Sequence, residues 1–173
     1  ILIKPTVQID SRGYFLETFN QDNFENNIGY KVNFCQDNES KSTKGVLRGL
    51  HYQLPPYAQA KLVRVIEGNV LDVAVDIRKS SKTYGEHVAL ELSSINKYQL
   101  FIPKGFAHGF QVLSDSAIFS YKVDNLYVPD SERGIAYNDP DLAIDWQLPL
   151  ESIHISDKDK SNPILNSASE LFT

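Results

Sequence analysis

The 173 residues, 42% hydrophobic and 23% charged, suit one domain around one core, and residues 1–173 read as a single unit. A net charge of −5 excludes the basic footprint of a nucleic-acid-binding protein, leaving only a local basic pocket for a small anion. No apolar run reaches the roughly 18 residues of a membrane span, no signal pattern opens the chain, and the lone Cys35 rules out an intrachain disulfide, so the cytosol is the expected compartment. Met is absent and Ile1 comes first, so the true N-terminus is expected to be missing.

Residues 1–19 read as short extended pieces around a turn at Asp10, Ser11, Arg12 and Gly13. The polar stretch Asn20 to Asn27, with Phe24 its only large apolar residue, predicts one short helix capped by Asn20. From Lys61 the pattern turns to β. Lys61–Ile66 leads through Gly68 to Val70–Ile77, where Leu71, Val73, Val75 and Ile77 alternate with Val70, Asp72, Ala74 and Asp76. The glycine between the two runs predicts a hairpin. Further strands are expected at 87–92, 98–102, 109–113 and 117–123, a spacing that suits an antiparallel sandwich or barrel. The last thirty residues carry Pro149 and Pro163 and are expected to wrap the barrel as loops and a short helix. The fold class is therefore all-β, of jelly-roll type, with short peripheral helices.

Four constellations could carry chemistry. The run Gly45 to Gln53 places Arg48, Gly49 and His51 within four residues. In a regular strand Arg48 and His51 face opposite ways, but a kink at Gly49 could turn both toward one cavity. His51 could equally be a core histidine with satisfied hydrogen bonds. Pro103, Gly105 and His108 form a Pro-x-Gly-x-x-His run, a hallmark of the second half of the cupin motif. The first half is missing: Gln53 stands where a second histidine would, and no glutamate is near. A metal cage of three or more ligands therefore cannot be assembled, and no metal is expected. His108 could also be a barrel-lining residue that fixes only local structure. Tyr121, inside a predicted strand, is either packing or a general acid. The charged run 155–160 reads as solvated surface when taken alone.

Taken in order, these pieces resemble the dTDP-4-dehydrorhamnose 3,5-epimerase family, which makes the precursor of L-rhamnose in bacteria. The resemblance runs nearly end to end, through Asp10–Glu17, Gln36–Asn38, Gly45–Gln53, Lys61–Arg64, Asp72–Arg78, Ile102–Phe110, Tyr121-Lys122, Glu132–Ile135, Asn138–Asp141 and Ser156–Asp159. It implies a cupin-type β-barrel, a homodimer and a nucleotide-sugar substrate carrying a 4-keto group. Nucleic acid, a membrane and a cofactor are not among the partners it implies. By position, His51 matches the catalytic base and Asp159 the carboxylate that orients it. Lys61 matches the group that stabilises the enolate oxygen, and Tyr121 the general acid on the far face of the sugar. Arg12, Glu17, Gln36, Asn38, Arg48, His108, Tyr127, Glu132 and Lys158 match positions that hold nucleotide, diphosphate or sugar. One departure is Ser81-Lys82-Thr83-Tyr84, where the family usually has Ser-Pro-Thr-Tyr; a surface turn is expected there.

The implied chemistry is consistent with these residue types. A C–H next to a ketone is acidic only because the carbanion delocalises onto oxygen. An imidazole removes that proton only if a cation or donor holds the oxygen. Inversion requires the returning proton to come from the opposite face, hence a separate acid. No Gly-x-Gly-x-x-Gly fingerprint for a redox carrier occurs. The alternatives are a mono-epimerase at C3 or C5 on a related nucleotide sugar, and a cupin that binds a sugar without chemistry. A metal-dependent cupin oxygenase or isomerase is disfavoured by the missing ligands.

Overall fold

The computed structural model describes residues 1–173, the side chain of Leu150 excepted. The chain opens with strand β1 (Leu2–Ile3), then a small hairpin of β2 (Gln8–Asp10) and β3 (Gly13–Phe15). The predicted helix follows as α1 (Gln21–Ile28). The Asn23 N–H donates to the Asn20 side chain at 3.1 Å, and Gly29 ends the helix at a φ of 83°. Phe24 is the helix's one buried residue, against Phe19, Phe34 and Phe101. A polar helix with a single aromatic anchor is held by that anchor and its cap.

The remaining strands are β4 (Gln36–Thr43), β5 (Leu47–Gln53), β6 (Lys61–Glu67), β7 (Asn69–Asp76), β8 (His87–Ser93), β9 (Gln99–Ile102), β10 (Phe106–Val112), β11 (Ser116–Val123) and β12 (Glu132–Gly134). They form two five-stranded antiparallel sheets, in orders β1-β9-β6-β11-β4 and β12-β5-β10-β7-β8. This is the expected all-β architecture. The C-terminal stretch adds one short helix, α2 (Asp157–Lys160), among loops and single helical turns, also as expected.

The hairpin expected around Gly68 does not form. β6 pairs with β9 and β11, whereas β7 pairs with β10 and β8 in the other sheet. Only Gly68 separates the two strands, and tight hairpins need about two loop residues. At a φ of 77° Gly68 instead carries the chain from one sheet to the other. A Cβ there would lie 2.1 Å from the Ser116 carbonyl oxygen, so glycine is required.

Between the sheets lies a core that includes Val63, Val65, Val70, Phe110 and Phe119. A second cluster covers the outer face of the second sheet. There Leu71, Val73 and Val75 of β7 pack with Tyr52, Ile135, Leu142 and Trp146. The period of two in β7 is thus real, but both faces are covered, because the C-terminal stretch wraps the outside. Among the described residues, no helix is long and apolar enough to cross a membrane.

Candidate active site

One cavity of about 540 Å³ opens between the two sheets at the end where β5, β6, β10 and β11 meet. From the second sheet, β5 contributes Arg48 and His51. His51 pairs with His108, but Arg48 pairs with Phe110, so three steps along β5 match two along β10. The extra residue is a bulge at Gly49-Leu50, and it puts Arg48 and His51 on the same face. The bulge needs glycine. Gly49 has a φ of 123°, and a Cβ on it would sit 2.5 Å from the Gly109 Cα. Arg48 Nε donates to Ser42 Oγ at 3.2 Å, leaving the rest of the guanidinium toward the cavity mouth.

Helix α2 brings a carboxylate to His51. Asp159 is 5% exposed, and its Oδ1 lies 2.6 Å from His51 Nε2. Ser156 caps the helix by accepting from the Asp159 N–H, which sets the turn that aims this side chain inward. Burial pushes the Asp159 carboxyl upward, but the hydrogen bond from His51, its charge, and the N–H of Gly49 outweigh this and hold it below its ordinary value. The run that reads as solvated surface therefore hides one buried acid.

The opposite wall comes from the first sheet. Tyr121 on β11 and Lys61 on β6 both line the cavity, with Asn38 paired directly to Tyr121 on β4. Burial raises the Tyr121 hydroxyl above its ordinary value, a rise that Arg48 moderates. Burial lowers the Lys61 amine to about 8, against the opposing pull of Asp72 and Glu132. Phe110 and Phe119 stack at 4.2 Å beneath these groups, and Phe119 lies 6.1 Å from both His108 and Tyr121.

His108 Nε2 lies 2.9 Å from Asp72 Oδ2, and both residues are buried. Burial holds the His108 imidazole below its ordinary value, so it is a neutral group beside the cavity, although Asp72 pulls the other way. Asp72 stands at an inward position of β7 without a role in the sequence reading. The signal was there: a carboxylate interrupts an otherwise apolar run. His154 also lines the cavity, and its sequence neighbourhood carries no motif that would have found it.

Of the thirteen site residues expected from the sequence, His51, Asp159, Lys61, Tyr121, Asn38, Arg48, His108 and Lys158 line this cavity. Glu132 stands beside it, accepting from Lys158 Nζ and, at 2.9 Å, from the Tyr127 hydroxyl. Gln36 is tied to Asn38 at 2.7 Å. Arg12 and Glu17 lie elsewhere. Arg12 pairs with Asp10 at the tip of the β2–β3 hairpin, and Glu17 accepts from Asn20 beside α1. Among the described residues, no three His, Cys, Asp or Glu side chains gather to hold a metal ion. The cavity thus has a carboxylate-paired imidazole on one wall, a phenol on the other and a buried amine nearby, with cations at the mouth. That set can move protons on opposite faces of a small molecule and hold a developing oxyanion.

Comparison with known proteins points to nucleotide-sugar epimerases, and the fold is shared beyond the double epimerases: a 3'-monoepimerase from Streptomyces bikiniensis superposes with a TM-score of 0.90 at 32% identity, over 95% of this chain and 83% of that one. A family model for dTDP-4-dehydrorhamnose 3,5-epimerase matches residues 1–167. A dTDP-4-dehydrorhamnose 3,5-epimerase from Shigella flexneri is 58% identical over 159 residues, covering 92% of this chain and 87% of its own. The crystal structure of the enzyme of that name from Elizabethkingia anophelis superposes with a TM-score of 0.94 at 50% identity, covering 98% of this chain and 92% of that one. A dTDP-6-deoxy-D-glucose-3,5-epimerase from Legionella pneumophila, crystallised with dTDP-4-keto-L-rhamnose, superposes at 0.92 with 51% identity, over 96% of this chain and 87% of that one.

Proposed function

The chain belongs to the dTDP-4-dehydrorhamnose 3,5-epimerase family, and on that premise we propose that His51, Lys61 and Tyr121 carry its reaction. The enzyme inverts C3 and C5 of dTDP-4-keto-6-deoxy-D-glucose, giving dTDP-4-keto-L-rhamnose. The observation that carries the residue assignment is the single cavity in which His51 and Tyr121 stand on facing sheets with Lys61 beside them. A sugar ring between the sheets has one face toward each group.

In this reading His51 donates Nε2–H to Asp159, leaving Nδ1 to take the proton from the carbon next to the ketone. Asp159 fixes the ring and stabilises the imidazolium that forms, as a buried carboxylate does in a catalytic triad. The Lys61 ammonium holds the C4 oxygen as its charge develops, and burial strengthens that interaction. Tyr121 then delivers a proton to the opposite face, and the same sequence at the second carbon completes the reaction. Phe110 and Phe119 form the apolar floor. Arg48 and Lys158, on the rim, suit the diphosphate, and Asn38, Gln36, His108, Tyr127 and Glu132 suit the sugar and nucleoside.

The active form in this reading is a homodimer. The β2–β3 hairpin stands apart from both large sheets and exposes Ile9, Tyr14 and Phe15, at 82%, 59% and 67%. Three large apolar side chains on an isolated hairpin support its docking on a second copy, with Arg12 and Glu17 delivered to that copy's cavity. A single unpaired thiol, Cys35, fits a reducing compartment such as the cytosol.

Incubation with dTDP-4-keto-6-deoxyglucose in deuterium oxide tests the assignment. Label enters at both C3 and C5 with the native enzyme, and His51→Ala abolishes entry at both. Persistent exchange in that variant would remove His51 from the role of base.

A further inference from the structure

The acids near the cavity are nearly all engaged. Asp159 holds His51, Glu132 accepts from Lys158 and Tyr127, and Asp124, just past β11, pairs with Lys104 at 2.9 Å. Asp72 is different. It is 0% exposed in the middle of β7, where Leu71 and Val73 turn to the outer cluster and Asp72 turns inward with Val70 and Ala74. Its Oδ2 is held by His108 at 2.9 Å, and its Oδ1 has no hydrogen-bond partner among the described residues. A carboxylate oxygen so placed is costly unless a positive charge is near enough to balance it.

The facing sheet supplies that charge. Lys61 opens β6 and points the same way as Val63 and Val65, into the space between the sheets. Among the described residues, no carboxylate lies within ion-pair distance of its amine. The other groups around it do not balance it directly. β5 brings Arg48 and His51, β10 the neutral His108, β11 the Tyr121 phenol, and α2 Lys158 and the engaged Asp159. β4 turns Asn38 and Ser40 inward, β9 carries no charge, and Glu39 and His154 stand exposed at the mouth. Burial drives the Lys61 amine toward its neutral form, and Asp72 is the strongest charge resisting this, ahead of Glu132.

We propose that Asp72 is a positioning residue that acts through Lys61, the buried counter-charge that keeps the amine protonated while its N–H donors stay free for the ketone oxygen. A direct ion pair would occupy those donors and cancel the field that the developing oxyanion feels. His108, by holding Oδ2, keeps the carboxylate on its own sheet.

This inference rests on Lys61 being the cation at the ketone oxygen, and two readouts separate the two. Asp72→Asn keeps the shape and an oxygen that accepts from His108, so only the charge is lost. Labelling of the folded enzyme with acetic anhydride across pH, followed by peptide mass spectrometry, reports the Lys61 amine. Its titration should fall by about one unit from the native value of about 8. The alkaline limb of kcat should move with it, about a tenfold loss at pH 9 that shrinks toward pH 6 as the ammonium returns. A packing role would lower kcat by one factor at every pH and leave the limb in place. An amine that titrates at its native position in Asp72→Asn overturns the proposal, whether or not the limb moves. An amine that moves while the limb stays instead takes Lys61 out of the reaction. The double variant Lys61→Met/Asp72→Asn, with both charges gone, should melt higher than the two single effects added together predict, also where Asp72→Asn alone folds poorly. Strict additivity would overturn the balance of charges.

Discussion

Lys61 is the side chain whose state is most exposed to its surroundings. Burial brings its amine to about 8, so the cation that the proposed mechanism places at the ketone oxygen is present below that pH and lost above it. Turnover on the alkaline side should therefore fall about tenfold for each unit above roughly pH 8, far earlier than for an ordinary lysine, and Lys61→Met should be slow at every pH. A pH profile of kcat checks both. A plateau extending to pH 10 would remove the amine's charge from the mechanism. Tyr121 is tested by a different signature. Tyr121→Phe loses the acid on the far face but leaves His51 able to remove and return protons on its own face. Net inversion should drop by about a hundredfold or more while exchange at one face continues, seen as deuterium in unconverted substrate. Full turnover in that variant would return Tyr121 to packing.

At the scale of elements, the cavity depends on loops that hold strand ends in place. The turn after β7 is one such loop. Asp76, 1% exposed, accepts from Arg78 Nη2 at 2.6 Å and from the hydroxyls of Ser81 and Thr83 at 2.6 and 2.7 Å. The Ser81-Lys82-Thr83-Tyr84 departure is thus a surface turn, as expected, that also caps a buried carboxylate. Lys82 replaces a rigid residue at a point that takes no part in this network. Burial raises the Asp76 carboxyl, but Arg78, Ser81 and Thr83 outweigh it and hold it well below the ordinary range. A depressed native value means its contribution to stability is present above about pH 4 and is lost as pH falls below the unfolded value. Asp76→Ala removes the buried acceptor shared by Arg78, Ser81 and Thr83, whose donors are partly exposed and can turn to water, and should cost about 2 kcal/mol, lowering the melting temperature by roughly 4–8 °C at pH 7. Melts at pH 3 should bring the two proteins closer together. An unchanged gap would mean the carboxylate charge contributes nothing.

For the whole molecule, the question is where Arg12 and Glu17 act. Both match substrate-holding positions, yet within one chain both lie away from the cavity. Delivery to a second copy predicts complementation. Arg12→Ala and His51→Ala should each be impaired alone. Mixed dimers should regain up to about half the native activity, because one site then has an intact base and receives an intact hairpin. If the hairpin served its own chain, both sites of the mixed dimer would stay damaged. Activity measured after co-refolding the two variants decides between them.

The residues themselves carried the strand-rich class, the capped helix at Asn20 and the C-terminal wrap, whereas the side chains that meet in the cavity were legible only through the family resemblance. Period-two alternation, capping chemistry and spaced motifs are local, and a local pattern needs no knowledge of its neighbours. Strand partnership was different. The runs either side of Gly68 read as a hairpin, but the alternation of a strand says which face is apolar and not which strand lies beside it. Only the packed sheets decided that a single glycine passes the chain from one to the other. The same holds for the partner of Asp159: the charged run 155–160 reads locally as surface, and only the fold brings the His51 imidazole to 2.6 Å from that carboxylate.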